Sequence, residues 1–267
     1  MLKRVKGANI QLAGFNNLTK SLSFNIYDLC HVSSEADRVR YLEYVNARYH
    51  PSYLEAIVAE VTSRIDARLV SLSTQDYEPC GASLVALLNE YQPVAKLHGT
   101  TSGAEAGTLV LGHLDKSHVA IHTYPENDFT SSIASFRVDV DIATCGMISP
   151  LAALDYLVAS FKSDIVVIDY RVRGFTRDQA GNKLFIDHDI ASISDFLAPE
   201  LLGGYHVQDT NLADENIFHL KMKKKQLMPT DCVLDADFDR RDAAAWRAVA
   251  ADLEDEMAAL FSSRRKD

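Results

Sequence analysis

The residues of this chain best suited to chemistry lie in one short stretch, residues 114–126, which holds a serine and two histidines. Ser117 stands five residues before His122 in an otherwise apolar segment. A serine hydroxyl is a weak nucleophile unless a nearby base or strain activates it, and imidazole is the most common base. Asp115 and Lys116, which precede Ser117, favour a turn in which the chain can be strained. The stretch therefore indicates an activated serine, although its pattern alone also fits an ordinary strand.

Strand periodicity limits how these groups can meet. Side chains alternate between the two faces of a strand, so Ser117 shares a face with Val119 and Ile121. His118 and His122 share the other face. A kink or bulge after Ser117, or a position of Ser117 outside the strand, is therefore needed to bring its hydroxyl to the His122 imidazole. His118 is expected to be an ordinary core or interface histidine.

Motifs elsewhere in the chain extend this pattern. They are Gly14-Phe15-Asn16-Asn17-Leu18-Thr19-Lys20-Ser21-Leu22, Asp76-Tyr77-Glu78-Pro79-Cys80-Gly81-Ala82-Ser83, Lys116-Ser117-His118, His122-Thr123-Tyr124-Pro125-Glu126, Thr144-Cys145-Gly146 and residues 164–176 and 215–219. Together these segments extend over most of the chain. The set resembles the pyruvoyl-dependent S-adenosylmethionine decarboxylases, in particular the longer bacterial type.

The resemblance implies that the chain cleaves itself between Lys116 and Ser117. In that family the serine attacks the preceding carbonyl, an N to O acyl shift gives an ester, and elimination breaks the chain. The implied products are a β chain of residues 1–116 and an α chain of residues 117–267, whose first residue is a pyruvoyl group derived from Ser117. Such a carbonyl forms a Schiff base with the substrate amine and accepts the electrons released as CO2 leaves. The implied reaction converts S-adenosylmethionine to the aminopropyl donor of spermidine synthesis.

The resemblance also implies roles for individual residues. His122 corresponds to the base of self-processing, and Ser83 to a serine that supports processing by hydrogen bonding. Cys145 corresponds to the acid that protonates the substrate α-carbon after CO2 has left. Phe15 corresponds to an aromatic residue that stacks on adenine, and Glu126 to an acid near the ribose or the amino acid end.

Some substrate contacts stay open at this point. Tyr124 fits either an aromatic wall that attracts the sulfonium by cation–π contact or a simple strand-packing residue. The acidic residues that animal relatives carry beside the adenine-stacking aromatic are Asn16 and Thr19 here. The longer bacterial type is stimulated by magnesium, so magnesium is an expected activator. The sequence contains no legible set of metal ligands.

The elements that must position these residues predict an α+β fold. Strands are predicted at residues 21–29, 68–74, 82–88, 136–142 and 164–173 in addition to the Ser117 stretch, and helices after Ser34, Ser52 and Ser149 and from about Asp242 to Ser262. Strands outnumber the crossover helices that a parallel sheet needs, so the pattern favours an antiparallel β-sheet with helices on one face. The resembled family has this α/β sandwich architecture, and its subunits associate into oligomers.

Local signals define several boundaries. Ser34 with Asp37 and Ser52 with Glu55 fit the spacing of capping boxes at helix starts. Ser149 is predicted to cap a helix that Pro150 opens. The last helix is expected to serve packing or subunit contact. Residues 89–112 have no apolar period and are predicted to form a surface loop.

Composition sets the broad class of the protein. The 267 residues, 47% of them hydrophobic, suffice for one domain with a sizeable core. With 27 Lys and Arg against 37 Asp and Glu, the net charge is −10, which argues against nucleic-acid or anionic-membrane partners and suits a cationic ligand. The four cysteines form no Cys-x-x-Cys motif, so neither a zinc site nor a disulfide framework is indicated. The first residues lack the apolar segment of a secretion signal, so a soluble cytoplasmic protein is expected.

Alternative functions remain open at the level of the sequence. A pyruvoyl group does not dictate the side-chain pocket, so a pyruvoyl-dependent arginine or ornithine decarboxylase is a rival. A non-catalytic partner subunit that supports a paralogue is a weaker alternative, because Ser117, His122 and Cys145 are all intact. A serine hydrolase using Asp139 or Asp141 lacks the glycine-flanked nucleophile elbow.

Overall fold

The chain folds around one large antiparallel sheet, described here from a computed structural model. The structure describes residues 12–90, 117–126, 131–234, 238 and 242–263, without the side chains of residues 12–15 and 90. Its strands are β1 (Leu12–Asn16), β2 (Thr19–His31), β3 (Ala67–Asp76), β4 (Ala82–Glu90), β5 (Ser117–Pro125), β6 (Ile133–Cys145), β7 (Ile165–Arg173), β8 (Thr176–Asp178), β9 (Lys183–Leu184), β10 (Tyr205–Leu212) and β11 (Ile217–Lys224).

Eight strands form the large sheet in the order β10-β11-β7-β2-β6-β5-β4-β3, and every neighbouring pair is antiparallel. A small second sheet has the order β1-β8-β9. Long strands β2 and β6 pair over their whole length, from Thr19 opposite Cys145 to His31 opposite Ile133. All the strands predicted from the sequence are present, and the antiparallel sheet is confirmed.

The helices are α1 (Glu35–Arg48), α2 (Pro51–Arg64), α3 (Leu154–Phe161), α4 (Pro199–Gly203), α5 (Pro229–Cys232) and α6 (Ala243–Ser262). The first three pack their apolar residues on one face of the large sheet, which we call the covered face. Alternation in β2 places Leu22, Phe24 and Ile26 on this face, where all three are buried. The prediction of helices on one face is confirmed for α1, α2 and α3.

Helix α6 lies across the opposite side of the sheet, which we call the far face. It packs Val249, Leu253 and Met257 against Leu29 and Ile165, whose neighbours in sequence point to the covered face. Asp242 caps its start by accepting hydrogen bonds from two backbone N–H groups. The predicted bounds and apolar stripe of this helix are confirmed, and its role in packing within the chain follows from these contacts.

Two helix starts differ from the sequence prediction. The Ser34–Asp37 capping box is present at α1. At α2, however, the helix begins one residue earlier than Ser52, at Pro51, and the His50 side chain accepts the capping hydrogen bond. Proline has no N–H to satisfy and is preset for the first helical turn, so it displaces the Ser52–Glu55 box. Ser149 makes no side-chain cap, because a 3-10 turn at Pro150–Ala153 precedes the α-helix.

Two further expectations concern chain segments with less structural description. The predicted loop at residues 89–112 begins later than expected, since β4 continues to Glu90, and the rest of it lies outside the described residues. No helix among the described residues is long and apolar enough to cross a membrane.

Candidate active site

Ser117 is the first residue of β5 and lies on the covered face. Its side chain is only 5% exposed, and its Oγ accepts a hydrogen bond of 3.2 Å from the backbone N–H of Cys145. Lys116, on the other side of the expected cleavage bond, lies outside the described residues. The structure thus places the candidate nucleophile against the segment that carries the candidate proton donor.

Cys145 is the last residue of β6, directly before a turn. It is half-buried, it is a free cysteine, and it pairs with Thr19 at the start of β2. The turn continues through Gly146, whose φ of +68° is unfavourable for residues with a Cβ, and whose N–H donates to the Leu18 carbonyl. Ser117, Cys145 and the start of β2 therefore meet where three central strands of the sheet begin or end, which we call the Ser117–Cys145 edge.

His122 lies elsewhere. The alternation of β5 puts Ser117 on the covered face and His122 on the far face, five positions further along, or about 17 Å of strand. Strand β5 pairs with β4 and β6 without a shift of register, so the kink that would bring the two side chains together is absent. The expected contact between Ser117 and His122 is therefore not made in this conformation.

His122 instead has Ser83 and Asp139 as its cross-strand neighbours. Ser83 on β4 stands opposite His122, and His122 stands opposite Asp139 on β6. The Ser83 hydroxyl is bonded to the hydroxyl of Tyr77 at 2.9 Å. The structure thus brings two of the candidate residues, Ser83 and His122, together on the far face, next to a carboxylate that sequence reasoning considered only for a hydrolase.

Asp139 has an electrostatic setting of its own. Burial raises the pKa of Asp139 above its ordinary value, while Arg137 and His122 oppose that shift. One carboxylate oxygen pairs with Arg137 at 3.0 Å, and the other is buried without a hydrogen-bond partner in the described part of the chain. A carboxylate with one unpaired oxygen beside an imidazole can orient that ring or exchange a proton with it.

Tyr124 and Glu126 lie at the end of β5 that is remote from Ser117. The Tyr124 ring is 48% exposed, but the Arg137 guanidinium lies 4.3 Å from its centre, so a cation already covers one side of the ring. Glu126 Oε2 accepts from the N–H and the hydroxyl of Ser135, which ties this end of β5 to β6. Tyr124 is seven residues, about 23 Å of strand, from Ser117, so the structure does not bring these candidates together with the serine.

Phe15 belongs to β1, whose last residue Asn16 pairs with Thr176 in the small sheet. Its side chain lies outside the described part of the structure. Its backbone stands only four residues before Thr19, which pairs with Cys145. The segment of the expected adenine-stacking residue therefore reaches the Ser117–Cys145 edge.

Known proteins match this chain over most of its length. Residues 45–174 match the family described as S-adenosylmethionine decarboxylase. The S-adenosylmethionine decarboxylase proenzyme of Chromohalobacter salexigens is 47% identical over 97% of this chain and 99% of its own length. The chain belongs to the S-adenosylmethionine decarboxylase family. The proenzyme of Clostridium perfringens is 48% identical over 85% of this chain and 86% of its own. A crystal structure of adenosylmethionine decarboxylase from Aquifex aeolicus VF5 aligns over 66% of this chain and all of its own, at 16% identity and a TM-score of 0.30.

Sequence reasoning missed one residue of this family member's site. Lys20 lies within the Gly14 to Leu22 motif, yet it received no role. Leu22, Phe24 and Ile26 share its parity on β2 and are buried, and this pattern already predicts a lysine pointing into the core. Its ammonium reaches the carbonyl of Gly146, next to Cys145, at 2.8 Å.

A structural metal site needs several oxygen, nitrogen or sulfur ligands close together. Within the ranges that the structure describes, no group of three or more His, Cys, Asp or Glu side chains is placed to hold a metal ion.

Proposed function

We propose that this chain is a self-processing, pyruvoyl-dependent S-adenosylmethionine decarboxylase. The observation that carries the proposal is the 3.2 Å hydrogen bond from the Cys145 N–H to Ser117 Oγ, in a chain that belongs to this family. Residues 28 positions apart in sequence, one suited to nucleophilic attack and one to proton donation, meet at one edge of the sheet. The product is decarboxylated S-adenosylmethionine, the aminopropyl donor of spermidine synthesis, together with CO2.

Self-processing begins at Ser117. Its Oγ attacks the carbonyl carbon of Lys116, the bond from that carbon to the Ser117 nitrogen breaks, and an ester forms. Loss of the Ser117 α-proton then expels the Lys116 carboxylate, and water releases the former Ser117 nitrogen as ammonia. This gives a β chain of residues 1–116 and an α chain of residues 117–267. Within this scheme His122 is the base and Ser83 assists it through hydrogen bonding.

The geometry in turn demands a movement. Because His122 lies about 17 Å along β5 and on the other face, the start of β5 must leave its register before this imidazole can take a proton from Ser117. Within the described strands, the backbone of Ser117 pairs with Leu88 on β4, the ladder with β6 begins at His118, and the Cys145 N–H contacts only the side chain of Ser117. Detaching this end of β5 therefore costs less free energy than detaching any other part of the strand.

The residues around Ser117 fit a pyruvoyl group. The Cys145 N–H that donates to the hydroxyl is equally suited to a carbonyl oxygen in the same place, inside a nearly closed site. When present, a pyruvoyl group supplies a carbonyl that binds the substrate amine and withdraws the electrons left by CO2. Cys145 contributes the proton that the substrate α-carbon then needs.

We assign the selection of the substrate to the Ser117–Cys145 edge, which the β1 segment reaches. Phe15 is proposed to stack on adenine, while Tyr124 and Glu126 remain candidate substrate contacts only if the start of β5 rearranges. Magnesium activation and assembly into a homo-oligomer of cleaved αβ heterodimers remain parts of the proposal. Light scattering of the processed protein measures the second directly.

The decisive assay measures CO2 released from carboxyl-labelled S-adenosylmethionine, ornithine and arginine in parallel, with and without magnesium. Release from S-adenosylmethionine alone is expected, because the two amino acids lack the purine. Release from ornithine or arginine instead would favour the rival substrate and keep the pyruvoyl mechanism. A processed protein that released nothing from any of the three would contradict the proposed activity.

A further inference from the structure

Lys20 carries a charge into the interior of the protein. Its side chain is 1% exposed, on the covered face of β2, and such burial is unfavourable for an ammonium unless every N–H is bonded. The three donors of Lys20 Nζ meet three acceptors: Asp187 Oδ2 at 2.6 Å, the Gly146 carbonyl at 2.8 Å and the Ile148 carbonyl at 3.4 Å. The ammonium is therefore fully committed to two different parts of the chain.

Asp187 anchors this lysine. Its second carboxylate oxygen is 2.8 Å from His188 Nδ1, and His188 Nε2 is 3.3 Å from the hydroxyl of Tyr170 on β7. A carboxylate only accepts, so Nδ1 carries a proton, and in the neutral imidazole Nε2 then accepts from the tyrosine hydroxyl. Burial tends to raise the pKa of Asp187, but the hydrogen bond from His188 and the charge of Lys20 bring it below its usual value. The carboxylate therefore stays ionised and holds Lys20 in place.

The carbonyls that Lys20 holds belong to the turn after β6. Thr144 Oγ1 also donates to the Ile148 carbonyl, at 3.0 Å, and the Gly146 N–H donates to Leu18. The first residue of this turn is Cys145, whose N–H donates to Ser117 Oγ. A movement of the Gly146 or Ile148 carbonyl would therefore move the thiol and the only N–H seen on the serine hydroxyl among the described residues.

We propose that Lys20 is a positioning residue, which fixes the turn of residues 145–148 through the Gly146 and Ile148 carbonyls and so sets Cys145 against Ser117. The inference rests on the proposed function, because it concerns the same two residues. Lys20 touches neither the serine nor the thiol side chain, and it acts through the backbone of the turn. Both self-cleavage and proton donation depend on this arrangement.

The main test compares Lys20→Met with a matched control, Lys224→Met. Lys224, the last residue of β11, is also a largely buried lysine paired with an aspartate, Asp164 at 2.9 Å. Asp164 accepts from the Leu29 N–H, so this pair lies beside the end of β2 that is remote from Cys145. Hydrogen bonds to a charged group are worth enough that Lys20→Met should slow self-cleavage by about 10- to 100-fold. Lys224→Met should cleave within about twofold of the wild-type rate, at a temperature at which circular dichroism shows both variants folded.

Two readouts separate positioning from general weakening. In the processed fraction of Lys20→Met, kcat should fall while KM stays nearly constant, because Cys145 acts only after the substrate is bound. Hydrogen exchange of a peptide spanning residues 144–148 should accelerate in Lys20→Met and not in Lys224→Met. Lys20→Arg, which keeps a cation able to donate to carbonyls, should recover part of the cleavage rate.

Each result decides the inference. Wild-type cleavage, kcat and exchange in Lys20→Met would overturn it, as would equal losses in Lys224→Met. If Lys20→Met does not fold, Asp187→Asn serves in its place, because it keeps the lysine but releases its anchor. Asp187→Asn should show slower cleavage and faster exchange at residues 144–148, and unchanged values would overturn the inference. A wild-type chain that never cleaves would instead remove the proposed function itself.

Discussion

The two faces of the large sheet differ in how their polar side chains are buried and hydrogen-bonded. On the covered face, Ser117 and Lys20 are almost fully buried, and each has fixed hydrogen-bond partners. On the far face, His122 and Asp139 are half-exposed, and one oxygen of the Asp139 carboxylate is unpaired among the described residues. The covered face thus holds its groups by packing, whereas the far face leaves them able to change partners.

This difference indicates how labour is divided in the site. Preorganised, dry groups suit the steps in which charge develops and must be stabilised without rearrangement. Half-exposed groups suit proton exchange with solvent or with a segment that moves. The edge at which Ser117 and Cys145 meet joins the two faces, because the alternation of β6 directs Cys145 to the far face while its N–H contacts Ser117.

The largest expected effect separates turnover from processing at that edge. Cys145→Ala keeps the backbone N–H that contacts Ser117 and removes the acid, so the chain should still cleave while kcat falls by roughly 10²- to 10⁴-fold. Cys80→Ala, at a buried thiol near the β3–β4 turn, is the control and should retain activity. Unchanged turnover of Cys145→Ala in the CO2 assay would show that the proton comes from another group.

The far face is tested by His122. If the start of β5 detaches so that this imidazole serves as base, His122→Ala should slow self-cleavage by about 10²-fold. His118→Ala is the matched control, since His118 lies on the same face of the same strand and beside Ser117. The cleavage rate is followed by the loss of full-length chain on a denaturing gel. Equal rates for the two variants would mean that the observed strand arrangement, without His122, performs the cleavage.

A smaller effect is expected at the substrate. Stacking of a base on an aromatic ring is worth roughly 1 to 3 kcal/mol, or about 5- to 150-fold in binding. Phe15→Ala should therefore raise KM for S-adenosylmethionine by that factor and leave self-cleavage intact. Phe261→Ala is the aromatic control, because Phe261 lies on α6, away from Cys145. A Phe15→Ala enzyme with unchanged KM would remove the stacking role.

The smallest effect tests the covered face away from the reaction. Burial, and then the negative charge of Asp164, raise the pKa of Asp28 from 3.8 to about 6, although the Tyr49 hydroxyl donates to Asp28 at 2.6 Å. The folded state therefore holds this proton more tightly than the unfolded state, so its stabilising contribution is complete below about pH 4 and is lost as the pH rises through 6.

Asp28→Asn removes this titration and keeps an acceptor for Tyr49. Relative to wild type, the variant should gain on the order of 2 kcal/mol in unfolding free energy between about pH 4 and pH 7.5. Urea unfolding at both pH values measures the difference, with the exposed Asp252→Asn on α6 as control. A constant difference across this range would contradict the raised pKa.

Most of the fold follows from patterns that the sequence displays. Alternation in β2 and β6 predicts both the strands and their buried faces, and Asp242 marks the start of α6. The position of α6 on the far face could not be predicted, because its apolar stripe fits either side of a sheet. The start of α2 was missed because Pro51 and His50 outweigh a capping box with the correct spacing.

The geometry of the candidate site could not be predicted from the sequence. The motifs with Ser117, Ser83 and Cys145 led to the hypothesis about the chemistry, which stays a prediction. Strand parity correctly indicated that Ser117 and His122 face opposite ways. The contact between Cys145 and Ser117 depends on the pairing of β5 with β6, which no local pattern specifies. The Lys20–Asp187 pair joins segments 167 residues apart and is equally hidden from local reasoning.

The central claim is that the bond between Lys116 and Ser117 breaks and leaves a carbonyl, and intact mass spectrometry of the purified protein tests it most directly. The account predicts two chains, of residues 1–116 and 117–267, with the second lighter than a serine-initiated chain by the difference between a serine and a pyruvoyl terminus and reactive with hydroxylamine. Ser117→Ala should give one unreactive chain without decarboxylase activity. A wild-type protein that remains a single full-length chain while it decarboxylates S-adenosylmethionine would contradict the account.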